Sequence, residues 1–251
     1  MDEDVGATRV PELFAIAVRV FADCFAASKI RAAMAKEDSL VVSEIYASIQ
    51  GESTFVGLPC VFVRTTGCNL RCVWCDTQHA FHGGIRMSRD SVRVRALSFG
   101  TQLVELTGGE PLLQPAANPL MAELCDAGRT VLVETSGEAD ISRLDPRVHK
   151  IMDVKCPGSG QCHRNRWDNL AHICSRDELK FVLSGFADYE WMRETIRTRN
   201  LVERTPHLLA SVVFGQLALK DLAEWVIRDG APVRVQAQLH KVIWGSRATA
   251  V

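Results

Sequence analysis

At 251 residues, 47% hydrophobic and with a formal charge of −1, the chain can bury one sizeable core and has no global attraction for nucleic acid or a membrane surface. No apolar run approaches the roughly 20 residues of a membrane span, and the apolar N-terminal stretch is broken by Arg19, Asp23 and Lys29, unlike a secretory leader. Nine cysteines without such a leader point to a reducing, cytoplasmic setting with metal or cluster sites rather than to a disulfide framework.

Residues 1–36 read as an N-terminal extension. Within it 11–34 is Ala-rich and patterned as a peripheral helix, with Leu13, Ile16, Val20 and Phe21 on one side; Met34 is an alternative start. The main domain is set at 37–251. Short β-rich runs follow at 41–46, 61–65, 103–106, 130–134, 150–154, 180–183, 208–214 and 233–238. Helical spacing appears at 119–127, 188–199 and 218–227, the last placing Leu219, Leu222, Trp225 and Val226 on one face. Strands alternating with helices predict a single α/β domain with a mostly parallel sheet. Several strands end in polar or glycine-rich turns, Thr107-Gly108-Gly109-Glu110-Pro111 and Thr135-Ser136-Gly137 among them. In parallel α/β folds the ligand lies at those carboxyl ends.

The densest chemistry is Gly67-Cys68-Asn69-Leu70-Arg71-Cys72-Val73-Trp74-Cys75-Asp76-Thr77. A structural zinc normally takes four ligands, and a [4Fe–4S] cluster held by four cysteines has no open iron. Three thiolates on such a cluster leave one iron free to bind something else. The competing readings are zinc, with a distant fourth ligand such as Cys60, or incidental buried thiols. The interleaved Asn69, Arg71 and Asp76 are unlike a hydrophobic face. Cys24, Cys60, Cys125 and Cys174 read as buried thiols, and Cys156 and Cys162 as flanks of a loop rather than metal ligands with His163.

Cys68-x3-Cys72-x2-Cys75 after a strand, with an aromatic before the last cysteine, resembles the radical S-adenosylmethionine (SAM) enzymes. The resemblance narrows with Ser43-Glu44-Ile45-Tyr46-Ala47-Ser48-Ile49-Gln50-Gly51-Glu52, Gly57-Leu58-Pro59, Phe62-Val63-Arg64, Glu134-Thr135-Ser136-Gly137, Asp153-Val154-Lys155 and Gln238-Leu239-His240-Lys241. In this order they are similar to the 7-carboxy-7-deazaguanine synthases over about 41–245. That resemblance implies an incomplete TIM-like (β6/α3) barrel and a lyase reaction. The reaction converts 6-carboxy-5,6,7,8-tetrahydropterin to 7-carboxy-7-deazaguanine with loss of ammonia, towards queuosine and related 7-deazapurines. The cofactors implied are a [4Fe–4S] cluster on Cys68, Cys72 and Cys75, SAM on its fourth iron, and Mg²⁺. SAM cleavage gives a 5′-deoxyadenosyl radical that takes hydrogen from pterin C6, and SAM is regenerated.

The residue roles implied are as follows. Trp74, Asp76, Gly109, Glu110, Ser136 and Lys155 would hold SAM, with Glu110 complementing its amino group. Ile49, Gln50, Gly51, Arg64, Thr107, Gln238 and His240 would line the substrate side, the last two at the end of the final strand. Thr77 would place its hydroxyl on Mg²⁺, although outside the family such a threonine reads as a helix N-cap. A homodimer and a flavodoxin- or ferredoxin-like electron donor are implied, with no direct contact to nucleic acid or membrane. The chain departs from the family pattern in its N-terminal extension, in Ser53 where many members have glycine, and in Gly245 after Trp244. The rival enzyme reading, an activating enzyme for glycyl-radical enzymes, usually carries a second cysteine set, and none is present.

Overall fold

The computed structural model describes residues 38–245; the predicted N-terminal helix and Cys24 lie outside them. Among the described residues nine strands form one sheet: β1 (Ser39–Ile49), β2 (Pro59–Thr65), β3 (Ile85–Ser88), β4 (Leu103–Gly108), β5 (Thr130–Thr135), β6 (His149–Asp153), β7 (Glu178–Leu183), β8 (His207–Val212) and β9 (Arg234–Val235). Their order is β3-β1-β2-β4-β5-β6-β7-β8-β9. From β2 onward each neighbouring pair is parallel, while β1 runs antiparallel to β2 with Ile45 opposite Val63, making an open, mixed sheet.

Among the described residues five α-helices accompany the strands: α1 (Arg89–Leu97), α2 (Ala117–Asp126), α3 (Phe186–Thr198), α4 (Leu219–Asp229) and the short α5 (Leu239–Trp244). The predicted 119–127, 188–199 and 218–227 helices agree with α2, α3 and α4 within two residues at each end. β3, α1 and α5 went unpredicted. The Ser88 hydroxyl caps α1 by accepting from the Ser91 N–H at 3.2 Å. α4 ends at Gly230, whose left-handed backbone suits glycine.

Strand side chains alternate between two faces, and the alternation divides the molecule. On one face Val61, Val63, Val104, Leu106, Val131 and Val133 pack with Val92 and Ala96 of α1 and Leu120, Met121 and Leu124 of α2. Burying each of those three α2 side chains is worth about 1.5–3 kcal/mol. Further along the same face Leu179, Phe181, Leu183 and Leu208 meet Tyr189, Met192 and Ile196 of α3 and Leu222 of α4. The Tyr189 hydroxyl donates to the Trp225 carbonyl at 2.9 Å, tying α3 to α4.

The other face is layered. Near the strand starts Cys60, Phe62, Leu103, Leu132 and Ile151 form a small apolar floor with Tyr46 and Phe55. Towards the carboxyl ends the same faces carry Arg64, Glu105, Thr107, Glu134, Asp153 and Lys180. Register pairs Arg64 with Thr107 and Asp153 with Lys180.

The run predicted as a strand over 233–238 shrinks to Arg234–Val235. At Gln236 the N–H still donates to the Ala210 carbonyl of β8 at 2.9 Å, while the side chain turns to the loop after β1, accepting from the Ser53 N–H at 3.0 Å and donating to the Ser53 carbonyl at 2.6 Å. Gln238 stands at the N-terminus of α5 rather than on a strand. Cys60 is buried as expected and Cys125 is half-buried. Cys174, however, is exposed, because it occupies a turn where its thiol meets the Asp177 carboxylate at 3.2 Å. Among the described residues no helix is long and apolar enough to cross a membrane.

Candidate active site

The cysteine loop leaves β2 through Gly67, whose φ of +99° is backbone that glycine adopts without strain. The Gly67 N–H donates to the Ala80 carbonyl and its carbonyl accepts from the Glu110 N–H, both at 2.8 Å. Leu70 is buried and anchors the loop, and the Val73 N–H reaches the Ser159 carbonyl at 3.1 Å. The loop is thus pinned at three places. Cys68, Cys72 and Cys75 are free, half-buried thiols on the wall of one cavity of about 300 Å³ at the strands' carboxyl ends. Burial pushes the Cys72 and Cys75 thiols above the ordinary value.

The glycine turn after β4 faces this loop. The Gly109 N–H donates to the Thr65 carbonyl at 3.2 Å, and a Cβ at Gly109 would overlap the Gly67 carbonyl and crowd Cys68. Gly109→Ala is therefore expected to cost about 1–3 kcal/mol by overpacking, a melting point roughly 2–10 °C lower. Because the displaced atoms belong to the cysteine loop, SAM affinity of the cluster-loaded protein should fall at least about tenfold by calorimetry. Unchanged affinity would mean that the ligand does not approach this turn.

Nearly all of the sequence-predicted site residues reach the cavity wall: Ile49, Gln50, Gly51, Arg64, Cys68, Cys72, Trp74, Cys75, Asp76, Thr77, Thr107, Gly109, Ser136, Lys155, Gln238 and His240. Glu110 does not. It is 0% exposed, and its carboxylate accepts from the Ser136 N–H at 2.7 Å, the Leu112 N–H at 3.0 Å and the Thr135 hydroxyl at 3.0 Å. Burial raises its pKa, partly offset by those donors. Its observed work is to lock the glycine turn to the end of β5. Thr77 does stand at the N-cap position of a short 3-10 turn, Gln78–Phe81, but its hydroxyl donates to Asp76 at 3.0 Å and makes no capping bond.

Also lining the cavity, the Arg64 Nε donates to Glu44 at 2.6 Å and its Nη2 to the Tyr46 hydroxyl at 3.0 Å. Those partners set the plane of the guanidinium. α5 brings the remaining substrate-side residues. The Leu239 N–H donates to the Gly51 carbonyl at 2.9 Å, Gln238 donates to Glu52 at 2.7 Å, and the His240 ring lies where a Gly51 side chain would stand. Burial lowers the His240 pKa, with Glu52 opposing. Ser53 has a left-handed φ of +66°, which accounts physically for a preference for glycine here. Serine is held by the two Gln236 bonds and by its own hydroxyl, which accepts from the Phe55 N–H at 3.0 Å.

Sequence reasoning missed Glu105 and Lys180 and gave no role to Glu52, Glu134 or Asp153, all of which line the cavity. The available signal was a charge flanked by apolar residues inside a buried strand, as in Val104-Glu105-Leu106 and Leu179-Lys180-Phe181. Glu105, bonded to Gln50, is pushed well above the ordinary carboxyl pKa by burial and then by the Glu134 charge. Burial opposes ionisation of Glu52 and Asp153 too, but Lys180 holds Glu52 below its ordinary value, and Lys155 with Lys180 does so for Asp153.

An iron–sulfur group and SAM fit what is present. Three free thiols share one loop and one wall, and the buried Ser136 hydroxyl has no protein partner among the described residues. As placed, no three His, Cys, Asp or Glu side chains among the described residues converge on a metal position.

Comparison with known proteins agrees with this donor set. The profile of the Radical SAM superfamily matches residues 62–153. The 7-carboxy-7-deazaguanine synthase of Chlorobaculum tepidum is 44% identical over 221 residues, covering 87% of this chain and 100% of that one. That of Koribacter versatilis is 44% identical over 218 residues, covering 81% and 96%. Among solved structures, QueE from Escherichia coli shares the fold, with a TM-score of 0.65 at 22% identity over 79% of this chain and 94% of that chain. Identity at this level along the full length of such relatives means that the chain belongs to the 7-carboxy-7-deazaguanine synthase family of the radical SAM superfamily.

Proposed function

We propose that this protein is a radical SAM lyase converting 6-carboxy-5,6,7,8-tetrahydropterin to 7-carboxy-7-deazaguanine with release of ammonia. The observation that carries the reading is a single cavity lined by both the cysteine loop and the Arg64–Thr107 pair, in a chain 44% identical to named synthases. Superfamily membership supports iron–sulfur and SAM use in general. The finer assignment is a [4Fe–4S] cluster on Cys68, Cys72 and Cys75, with SAM against Trp74, Asp76, Gly109, Ser136 and Lys155. Mg²⁺ is assigned to the Thr77 hydroxyl, an oxygen donor suited to a hard ion. When bound, cluster and SAM supply hydrogen-atom abstraction from the substrate.

The chain's own groups do the rest. Arg64, its plane fixed by Glu44 and Tyr46, binds the pterin carboxylate. Thr107, Gln50 and the α5 residues Gln238 and His240 close around the ring and exclude water. His240, its pKa lowered by burial, and Glu105, its pKa raised by burial and by the Glu134 charge, stand on the substrate side, where an amine must leave as ammonia. Seven parallel strands, β2 and β4 to β9, the last only two residues long, with a layered inner face support reading the sheet as an incomplete barrel. Free cysteines throughout the described residues support a reducing, cytoplasmic setting. The homodimer and the flavodoxin- or ferredoxin-like donor remain part of the proposal through family resemblance.

The test is anaerobic turnover of cluster-reconstituted protein with dithionite, SAM, Mg²⁺ and 6-carboxytetrahydropterin, read by product mass and ultraviolet absorbance. The expected result is 7-carboxy-7-deazaguanine with one ammonia per product. SAM cleavage without a deazapurine would overturn the substrate assignment and retain the radical chemistry.

A further inference from the structure

Among the described residues six carboxylates line the cavity, Glu44, Glu52, Asp76, Glu105, Glu134 and Asp153, against the cations Arg64, Lys155, Lys180 and Lys241. The Lys180 side chain is 6% exposed. Its Nζ contacts Glu52 at 2.8 Å, Glu134 at hydrogen-bond range and Asp153 at 3.5 Å. An ammonium has three N–H donors and no acceptor; two of them are held in hydrogen bonds by Glu52 and Glu134, and Asp153 Oδ1 adds an ion-pair contact without a hydrogen bond.

Each carboxylate passes the contact on to a different part of the site. The other Glu52 oxygen accepts from Gln238 at 2.7 Å; Gln238 in turn accepts from Lys241 at 2.6 Å, and Lys241 reaches Asp76 at 2.6 Å. The other Glu134 oxygen accepts from the Thr107 hydroxyl at 3.1 Å. The other Asp153 oxygen accepts from Lys155 at 2.6 Å. One buried ammonium thus joins β7 to the loop after β1, to β5 and β6 and, through Glu52, to α5.

We propose that Lys180 is the positioning residue that sets the substrate-side wall, by holding Glu52 and Glu134 in place and, through them, Gln238 and Thr107. The inference rests on the function proposed above and extends it to a residue for which neither motif nor resemblance gave a role. Stability is a poor explanation for such a cluster, because a buried ion network is generally no more stable than an apolar side chain of the same volume. Nor is Lys180 placed to act as the base, since it is buried with two of its donors held by Glu52 and Glu134 and a third carboxylate, Asp153, beside it. Its charge and reach are used to aim other groups.

The test compares Lys180→Met, Lys180→Arg and the charge-balanced Lys180→Met/Glu52→Gln with wild type, all cluster-loaded. Hydrogen-exchange mass spectrometry is independent of turnover. Lys180→Met should accelerate exchange at least about tenfold over 50–54 and 236–242 while leaving the cysteine loop, 67–77, unchanged. Unchanged exchange at 50–54 and 236–242 overturns the proposal whatever the substrate proves to be.

In turnover Lys180→Met should raise the pterin KM and lower kcat, each about tenfold or more, with the SAM Kd within about threefold of wild type. Lys180→Arg, which keeps charge and donors, should recover most of the KM. If cluster content, SAM affinity and pterin KM all fail together with a lower melting temperature, Lys180 is merely structural. If the double variant regains the wild-type KM, Lys180 only balances charge. Either result overturns the proposal. A wild type that makes no deazapurine overturns the functional reading instead, and the exchange result still decides the tether.

Discussion

Replacing Cys72 with alanine is expected to leave a folded protein without a cluster and with product formation reduced at least about 10³-fold, because the radical chemistry belongs to the cofactor rather than to the chain. Cys72 sits between the two other cysteines on a loop whose path is set elsewhere. Gly67 is held by Ala80 and Glu110, Leu70 is buried, and the Val73 N–H bonds to Ser159. None of those contacts uses the Cys72 thiol. The half-buried sulfur can be cut back with little cavity left behind, so the melting temperature of the cluster-free variant should stay within roughly 3 °C of cluster-free wild type. Iron and sulfide content and the visible spectrum measure the cluster, and product mass measures turnover. A variant that retains both cluster and turnover would show that the thiolates are drawn from elsewhere, with Cys60, Cys156 and Cys162 the next thiols to test.

Glu110→Ala should act in the opposite way, through the fold first. Its carboxylate accepts two backbone N–H groups, from Ser136 and Leu112, besides the Thr135 hydroxyl, in a site with no exposure. Removing it strands those donors at about 1–3 kcal/mol each. A loss of roughly 2–5 kcal/mol is expected, read as a shift in urea midpoint and a melting point lower by about 5–15 °C. Glu110→Gln, which retains one acceptor oxygen, should lose less than half of that. The family resemblance gave Glu110 to the amino group of SAM, and the two roles separate cleanly. If Glu110→Ala keeps its stability while SAM affinity collapses, the carboxylate belongs to the ligand and its internal bonds are secondary.

The legible parts of this molecule share a physical cause. Thiolates are the usual ligands of an iron–sulfur cluster, so the close triplet Cys68, Cys72 and Cys75 stands out in the sequence, and only glycine allows the approach made at Gly109. The interior strands are runs of Val, Leu and Ile flanked by turns, which made them visible. α1 escaped because Arg89-Asp90-Ser91-Val92-Arg93-Val94-Arg95-Ala96-Leu97 buries only Val92 and Ala96, too little to register as a helical stripe. α5 escaped because it is short and exposes Val242 and Ile243. Glu105 and Lys180 were hidden by their apolar neighbours. A charge within a strand can be read as functional only when the facing charges are known, and these come from β5, β6 and the loop after β1. The partner of Gln236 was hidden for a similar reason, since its side chain answers to Ser53, 183 positions earlier.

That last closure has a consequence for how the site comes into being. Gln238 meets Glu52 across 186 positions of sequence, and the Leu239 N–H closes on Gly51 over nearly the same span. Contacts of such separation carry the largest loop-closure entropy and are repaid only once the intervening strands have ordered. During synthesis the cysteine loop and the glycine turn emerge well before Gln238 and His240, which complete the other side of the cavity. A growing chain therefore possesses its thiol-bearing half well before it can enclose anything to react with, and the order of assembly separates cofactor loading from catalytic competence.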